Sequence, residues 1–563
     1  MDRRAGGASP SFSEQFLPKL VTVFNEGYGR AELRADALAG LTVAIVALPL
    51  SMAIAIASGV GPERGLITAI VGGAVVSALG GSRFQIGGPA GAFIILVAAC
   101  VADIGIGGLL TATLLAGLFM MVAGFLRFGA YVKFIPYPVT VGFTAAIAVI
   151  IFASQIKDLF GLTLAGAEPG PLLDKFAALW AARGTVTPAA MMLAAGTVVA
   201  IQGLKRLRPG WPGMLIAVVG GALLTAALGL PVETIGSRFG ALPRVLPAPE
   251  LPDLGLTALR EALPYAVSFT LLGAIESLLS AVVADGMTGR HHRSNAELVA
   301  QGAANIASSL FGGITVTGTI ARTATNVRAG AHGPVAGILH SAFVLVFMMA
   351  FAPMASAIPL AALSGVLAVV AWNMIEKEEA WMLLRTSSGD ALVLGVTFFL
   401  VIFRDLTEGI LVGFLLGAIL FIRRMSEAAH VEERAPLAEE DRADEVGHYD
   451  SGAATDGDVL VYRIKGAFFF GAASTVGSVL DRIADRPRAF VLDFAEVPFL
   501  DSTAAHSVEL LARKMTRKGG RLYLTGTSAE IRRTLLSLGL REPKVGYAHG
   551  IDEAVAEARR HLS

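Results

Sequence analysis

The sequence predicts a polytopic α-helical membrane protein of about fourteen transmembrane helices, followed by a soluble α/β domain. The 563 residues are 54% hydrophobic and only 16% charged, with a mean hydropathy of +0.65, whereas soluble domains usually contain about a quarter charged residues. Apolar stretches that can cross a bilayer, which takes about 20 helical residues, recur between Ala37 and Ile422. The composition then changes abruptly after Arg424.

The apolar stretches fall into two groups of about seven. The first group covers residues 38–60, 65–80, 88–102, 107–126, 135–154, 187–204 and 211–229. The second covers residues 264–285, 297–311, 318–328, 333–352, 358–376, 388–403 and 407–423. An odd number of spans per half means that two equivalent halves must be inserted with opposite orientation. We therefore predict two inverted repeats of seven in a membrane domain at 37–425, after an N-terminal segment at 1–36.

Basic residues in the short loops predict the orientation, because such residues accumulate on the cytoplasmic side. If the N-terminus is inside, that side receives Arg3, Arg4, Lys19, Arg30, Arg34, Arg83, Arg127, Lys133, Lys205, Arg206, Arg208, Arg290, Arg293, Lys377, Arg423 and Arg424. An even number of spans returns the chain to its starting side. Both termini are therefore predicted to be cytoplasmic.

Two short spans at matching positions of the halves are interrupted by glycine and proline. Span 3 opens with GGPAG at 87–91; span 10 follows a Gly-Gly pair at 312–313 and begins near TGT at 317–319. In transporters with inverted repeats, such broken helices point their N-terminal ends at an anionic substrate. The alternative is that these glycines serve only close helix packing. The matched position favours a binding site near the middle of the membrane.

Composition and motifs disfavour several classes of function. The 45 basic and 45 acidic residues give a formal net charge of +0, and no basic surface of the kind used to bind nucleic acid is indicated. There is no GxxxxGKS/T phosphate loop or kinase motif, so ATP is not the direct energy source. No enzyme motif, cofactor site or metal site is predicted. A membrane-anchored signalling protein would not need two matched broken helices.

The C-terminal part is predicted to be a soluble α/β domain at 458–560. An acidic stretch without apolar periodicity, residues 426–457, precedes it and is predicted to be a linker. The strand-like segments VLVYRIKG, AFVLDFAEV and RLYLTG then alternate with helical patterns. Such alternation is typical of an α/β unit.

Long segments of the chain resemble the SulP (sulfate permease) family of anion transporters. The resemblance rests on LAGLTVAIVALPLSMAIAIASGV in span 1, GGSRFQIGGPAGAF before span 3, and the stretch from GAIESLLSAVVADG to GTIARTATNVRAG across spans 8–10. The tail resembles a STAS domain. The resemblance implies a core and a gate domain, a homodimer in the bacterial inner membrane, and a STAS domain that regulates transport and binds a cytoplasmic partner. Within the family, the chain looks similar to bacterial C4-dicarboxylate transporters of the DauA type.

One departure from the family pattern bears on the substrate. Sulfate-type relatives commonly have glutamine after the proline of span 1, whereas Pro49 is followed here by Leu50. We therefore expect secondary active, proton-coupled uptake of C4-dicarboxylates such as succinate and fumarate by alternating access. The alternatives are a sodium-coupled bicarbonate transporter, a sulfate transporter, or an uncoupled anion channel of the same family.

The resemblance also assigns substrate-binding residues, because the family binds its substrate between spans 3 and 10. Helix N-termini offer unpaired N–H groups to anions, glycines let a ligand reach the backbone, and threonine hydroxyls can donate hydrogen bonds. Arg322, where the family places a basic residue, could pair with a carboxylate; the alternative is snorkelling or a structural ion pair. The candidates are Gly88, Ala90, Gly91, Thr317, Gly318, Thr319 and Arg322, with Phe93 and Ile54 as apolar walls.

Two further residues are candidates for coupling and regulation. Glu276 lies among apolar residues in span 8, where a carboxylate is costly unless it is protonated or paired. Relatives use an acidic residue here for cation coupling, and glutamate suits a proton better than sodium, although Ser277 and Ser280 could supply oxygen ligands to Na⁺. The alternative is an ion pair, for example with Arg322. Ser502 matches the phosphorylated serine of some STAS proteins; the alternative is a helix N-cap.

Overall fold

The computed structural model describes residues 15–129, 136–166, 168–169, 171–208, 211–404, 406–428, 430–433, 459–468, 488–517, 519–537 and 539–562. Two compact units are present, and the boundary between them falls between Phe414 and Leu415. The first unit contains the membrane helices up to Phe414 in the last of them. The second contains the remainder of that helix and the α/β domain.

The first unit is almost entirely helical. Its first half contains α1 (Lys19–Asn25), α2 (Arg30–Ala57), α3 (Pro62–Leu79), α4 (Gly91–Phe125), α5 (Tyr137–Phe160), α6 (Leu172–Ala181), α7 (Pro188–Leu207), α8 (Gly213–Leu228) and α9 (Ile235–Phe239). Its second half contains α10 (Leu256–Thr288), α11 (Ser294–Leu310), α12 (Ile320–Arg328), α13 (Val335–Ala355), α14 (Leu360–Met374), α15 (Lys377–Thr386), α16 (Ser388–Phe403) and α17 (Leu406–Ala428). Two short strands, β1 (Gly87–Gly88) and β2 (Thr317–Gly318), precede α4 and α12.

Each of the fourteen predicted spans coincides with a helix, or with half of one, in the described residues. Helix α4 contains spans 3 and 4, which Gly105 separates by adopting φ 71° and ψ −177°, a conformation that glycine reaches most readily. Eight described helical segments are long and apolar enough to cross a membrane by length and composition, and α8 and α16 are shorter apolar helices. The polytopic fold class is thus confirmed.

The membrane helices pack into two groups, and each group contains equivalent spans from the two halves of the chain. In the core group, α4 packs against α10 and α11, and α13 packs against α2. In the gate group, α5 packs against α14 and α16, and α7 packs against α8 and α14. Spans 1–4 and 8–11 therefore form the core, and spans 5–7 and 12–13 belong to the gate. Span 14 joins the gate through Gly413, whose missing side chain leaves room for Thr397.

Small residues allow the closest helix contacts in the core, as is usual in membrane proteins. A Cβ atom added at Gly117 of α4 would lie 2.6 Å from the carbonyl oxygen of Gly302. The reciprocal Cβ atom at Gly302 of α11 would lie 2.5 Å from the carbonyl oxygen of Gly117. The backbones of α4 and α11 therefore touch directly at this point.

The second unit is built on a five-stranded sheet in the order β3-β4-β5-β6-β7. Strand β3 is antiparallel to β4, and the remaining neighbours are parallel, which confirms the predicted α/β unit. The segment FFFGAASTVGSVLDRIA that follows the first strand lies, after Phe468, outside the described residues. The elements are β3 (His430–Glu433), β4 (Val459–Lys465), β5 (Ala489–Glu496), α18 (Ser502–Arg517), β6 (Arg521–Thr525), α19 (Ala529–Ser537), β7 (Val545–Tyr547) and α20 (Ile551–Leu562).

Strand β3 falls inside the acidic stretch that the sequence predicts to be a linker. It pairs with β4 from His430 opposite Lys465 to Glu433 opposite Tyr462. An edge strand needs pairing on one side only, so a polar segment without apolar periodicity can still join a sheet. Residues 434–457 of the predicted linker lie outside the described residues.

A buried carboxylate stabilises the sheet. Asp493 is 2% exposed; it accepts hydrogen bonds from Arg463 Nε at 2.6 Å, Thr525 Oγ1 at 3.0 Å and the Ala495 amide at 3.2 Å. We expect Asp493→Ala to lower the unfolding free energy of this unit by about 2–4 kcal/mol, because it leaves buried donors without an acceptor.

The matched control for this prediction is Glu496→Ala. Glu496 bonds the same arginine at 3.0 Å, but its side chain is 47% exposed, so its loss should cost less than about 1 kcal/mol. Urea-dependent proteolysis of the purified full chain, followed at fragments of the tail, measures both values. Equal losses for the two variants would contradict the assignment of Asp493 as the stabilising group.

Candidate functional site: two facing helix ends

The two interrupted spans meet at a short backbone pairing in the core. Strands β1 and β2 are antiparallel, with Gly87 opposite Gly318 and Gly88 opposite Thr317. Each strand leads directly into a helix, β1 into α4 and β2 into α12. The structure therefore brings the N-terminal ends of both broken spans together, as the matching glycine positions predict.

Both helix ends lack a side-chain cap. Ala90 and Thr319 are the N-cap residues, both have extended backbone, and neither makes a side-chain capping hydrogen bond. The first N–H groups of a helix have no partner within the helix, and the helix dipole places about half a positive charge there. Two uncapped ends side by side therefore form a site suited to an anion.

Polar side chains of α11 and α3 hold the extended segment before β2. Asn305 donates to the Val316 carbonyl at 2.8 Å and accepts from the Val316 amide at 2.9 Å. Ser308 Oγ donates to the Ile314 carbonyl at 2.7 Å, and the Ile314 amide donates to Thr68 Oγ1 at 2.8 Å. The sequence interpretation missed these supports. The polar spacing of Gln301, Asn305 and Ser308 along α11 is the signal that could have revealed them.

Side chains of α12 hold the segment before β1 in turn. Asn326 Nδ2 donates to the Phe84 carbonyl at 2.9 Å, and the Ile86 amide donates to Thr323 Oγ1 at 3.2 Å. The Thr319 amide also donates to the Ile86 carbonyl at 3.0 Å. The second half of the chain thus positions the broken span of the first half.

The two candidate hydroxyl donors are already engaged with the backbone. Thr317 Oγ1 donates to the Gly273 carbonyl of α10 at 3.2 Å, and Thr319 Oγ1 donates to the Ile86 carbonyl at 3.3 Å. A substrate would have to compete with these carbonyl acceptors. The backbone amides at the two helix ends are therefore better placed than the hydroxyls to bind an anion.

Arg322 brings a positive charge to the same crossing. Its side chain is 1% exposed, and Nη2 donates to Ser51 Oγ at 3.1 Å and to the Pro89 carbonyl at 3.2 Å. Nε and Nη1 have no hydrogen-bond partner in the described part of the chain. Neither snorkelling to the membrane surface nor a structural carboxylate explains this arrangement. A buried charge without a counterion is costly, and an anion at the crossing would supply one.

The closeness of Gly88 to this guanidinium leads to a specific prediction. A Cβ atom at Gly88 would lie 2.1 Å from Arg322 Nη1, so Gly88→Ala must displace the charged group. We expect anion uptake to fall about tenfold, which corresponds to ~1.4 kcal/mol. Gly107→Ala on α4 is the matched control, because a Cβ atom there meets nothing within 4 Å. Comparable uptake by the two variants in proteoliposomes would argue against the prediction.

The start of α4 also faces the gate. A Cβ atom at Gly91 would lie 3.3 Å from Ile151 Cδ1 of α5 and 3.7 Å from Sδ of Met374, the last residue of α14. The two expected wall residues are buried in one apolar cluster, Phe93 at 1% and Ile54 at 2% exposure. The crossing therefore lies where the core borders the gate.

Glu276 lies one helical turn beyond Gly273, whose carbonyl contacts Thr317. Its Oε2 atom is buried and has no hydrogen-bond partner among the described residues, and those residues show no ion pair between Glu276 and Arg322. Ser280 Oγ donates to Thr323 Oγ1 at 3.0 Å, and Ser277 Oγ donates to the Ala274 carbonyl at 3.4 Å. In the described residues, Glu276 therefore has no ion-pair partner, and both serine hydroxyls donate to other protein groups.

Comparison with known proteins identifies the family. Residues 33–397 match the sulfate permease family, and residues 452–558 match the STAS domain. The chain belongs to the sulfate permease family. As a member, it is similar to the putative sulfate transporter YvdB of Bacillus subtilis, with 38% identity over 94% of this chain and 97% of the relative.

Two other matches support this assignment. The bicarbonate transporter BicA of Synechocystis is 30% identical over 90% of both chains. The solved structure of the murine anion transporter Slc26a9 in the inward-facing state has a TM-score of 0.85 at 19% identity, over 99% of this chain and 96% of that one. This sulfate permease family member is therefore a multi-pass anion transporter and not an enzyme. The closer resemblance to DauA-type carriers is not confirmed, because these bacterial relatives are named for sulfate and bicarbonate.

In the STAS domain of this family member, the helix cap differs by one residue from the alternative expected for Ser502. Helix α18 begins at Ser502, but the capping group is the carboxylate of Asp501, whose Oδ1 accepts from the Ala504 amide at 2.8 Å. The alternative that Ser502 is the N-cap is therefore wrong by one residue. Its side chain lies outside the described part of the structure, and its phosphorylation stays a prediction.

Proposed function

We propose that this sulfate permease family member is a secondary active, proton-coupled carrier of a small oxyanion. The observation that supports this most directly is the crossing itself. Two uncapped helix N-termini converge beside the buried Arg322, two of whose nitrogen atoms lack hydrogen-bond partners in the part of the chain that the structure describes. Such a site favours an anion over a cation or a neutral solute.

We propose sulfate or bicarbonate as the substrate in preference to a C4-dicarboxylate. A single guanidinium and two helix ends that converge at one point favour one compact anionic group. A C4-dicarboxylate instead carries two carboxylates several ångströms apart. The relatives YvdB and BicA, named for sulfate and bicarbonate, support the same preference. Leu50 stands where sulfate-type relatives commonly have glutamine, which favours bicarbonate over sulfate.

The proposed coupling group is Glu276. It lies in a membrane helix without an ion-pair partner in the described residues, so its charge must be neutralised by a proton or by a bound cation. A carboxyl group among apolar residues suits a proton, which needs no further ligands, better than Na⁺, which needs several oxygen ligands. A proton on Glu276 would accompany the anion, because Glu276 lies one helical turn beyond Gly273, whose carbonyl accepts a hydrogen bond from Thr317 of β2.

The arrangement of core and gate supports alternating access. The anion site belongs to the core and borders α5 and α14 of the gate, so movement of the core along the gate would expose the site to one side at a time. We further propose that the protein is a homodimer in the bacterial inner membrane with both termini in the cytoplasm. Its STAS domain would regulate transport through Ser502 or a cytoplasmic partner.

Uptake of labelled sulfate into proteoliposomes tests this function. Under an inward proton gradient we expect accumulation above the external concentration, abolished by a protonophore and competed by bicarbonate more strongly than by succinate. Sulfate that enters but never exceeds equilibrium would indicate an uncoupled channel. If succinate is accumulated and sulfate is not, the preference for an inorganic oxyanion is incorrect.

A further inference from the structure

All four tryptophans of the chain lie on gate helices or on segments next to them, because α6 packs against α5, and α15 packs against α5 and α16. Each is more than half exposed, whereas the core helices contain none. The exposed fractions are 71% for Trp180 on α6, 59% for Trp211 directly before α8, 59% for Trp372 near the end of α14, and 58% for Trp381 on α15. Exposed tryptophans at helix ends are enriched where a bilayer meets water.

Three of these rings carry a cation over their face. The distances from the cationic group to the ring centroid are 4.9 Å for Arg183 over Trp180, 3.5 Å for Lys377 over Trp372, and 4.2 Å for Arg385 over Trp381. An indole ring beside a cation suits the region where lipid phosphates and acyl chains adjoin. These cation–tryptophan pairs are therefore better suited to contact with lipid headgroups than to exposure to bulk water.

Helix α6 has the two-sided character of a helix that lies flat on a membrane. Leu173, Phe176 and Trp180 share one face and are 68%, 44% and 71% exposed. Leu179 is buried on the other side, against Leu162. A helix that exposes large apolar side chains on one face is stable at the boundary between headgroups and acyl chains.

Helix α15 repeats this arrangement in the second half of the chain. Trp381, Met382 and Leu384 are 58%, 52% and 49% exposed, whereas Leu383 is 7% exposed and packs with Val141 and Leu394. Helix α6 joins spans 5 and 6, and α15 joins spans 12 and 13. Seven spans separate these two connections, and an odd number places them on opposite faces of the membrane.

We propose that the four tryptophans and helices α6 and α15 form a lipid-binding surface that fixes the gate at both membrane interfaces. The occupant is the headgroup region of the bilayer, with lipid phosphates beside Arg183, Lys377 and Arg385. A second copy of the chain could cover part of this surface. Lipid is favoured because the tryptophans occur on both faces and on several helices. The core has no tryptophan anchor and is free to move along the gate.

Fluorescence of the full chain in vesicles tests this proposal. Excitation at the red edge of the absorption band selects tryptophan over the eight tyrosines. The wild-type emission then comes from these four tryptophans, so no substitution is needed for the first measurement. Vesicles contain phospholipids with bromine either near the headgroup end of the acyl chain or near its methyl end. We expect shallow bromine to remove about half of the emission, deep bromine clearly less, and aqueous iodide little.

Single-tryptophan chains then separate the two faces. One chain retains Trp180 and carries phenylalanine at the other three positions, and a second retains Trp381. The control adds Leu118→Trp to the chain without tryptophan, because Leu118 is 44% exposed near the middle of span 4, where deep bromine should quench more strongly. Shallow quenching of both single-tryptophan chains supports the proposal. The proposal is overturned if the emission of either single-tryptophan chain resists both bromolipids. It is also overturned if deep bromine quenches that emission more strongly than shallow bromine does.

Discussion

Replacement of Arg322 by methionine is expected to reduce anion uptake at least about 100-fold, equivalent to ~2.7 kcal/mol of lost interaction. The guanidinium is buried, and its Nε and Nη1 atoms lack hydrogen-bond partners among the described residues, so we propose that the bound anion is its counterion. Arg322→Lys should keep part of the activity, because lysine retains the charge but not the planar, bidentate geometry.

The same substitution should leave the fold intact. Burying a charge without a partner is costly, so an apolar side chain of similar length should be neutral or stabilising. Labelled-sulfate uptake and thermal unfolding of the purified chain measure the two effects. The control is Arg328→Met, which removes an exposed cation from the same helix. A large loss of stability without loss of uptake would show that Arg322 has a structural role instead.

Replacement of Glu276 by glutamine should separate coupling from anion binding. Glutamine keeps the shape of a protonated glutamate but cannot release a proton, so a proton gradient should no longer drive accumulation. We expect gradient-driven uptake to fall at least about tenfold, while exchange of external for internal sulfate continues at a comparable rate. Both rates are measured in the same proteoliposomes.

The control for Glu276 is Glu261→Gln, an exposed carboxylate on the same helix. It should leave both rates unchanged. If Glu276→Gln abolishes exchange as well, the carboxylate has a role in the site itself. If it leaves gradient-driven accumulation unchanged, Glu276 is not the coupling group.

The sequence predicts the membrane topology well because apolar length is a strong signal. The shortest spans are different: α12 has only nine residues, and it is recognised only because its glycines match those before α4. The kink that separates spans 3 and 4 depends on the backbone of Gly105. That conformation cannot be deduced from a glycine alone.

The site is predictable in part. Arg322 and Glu276 are recognisable because charges in membrane spans require a function or a partner. The bonds of Thr317 and Thr319 to backbone carbonyls, and the support from Asn305, depend on tertiary contacts between distant segments. The choice between Asp501 and Ser502 as the cap depends on where the helix begins, which local sequence leaves uncertain by one residue.

The most direct test of the central claim is the position of a bound anion. Crystals of the full chain grown with selenate, at a concentration shown to compete with sulfate uptake, would reveal selenium by anomalous scattering. We predict one peak at the β1–β2 crossing, within hydrogen-bond distance of backbone amides at the starts of α4 and α12 and beside Arg322. A peak elsewhere in the membrane domain, with none at the crossing, would contradict this account.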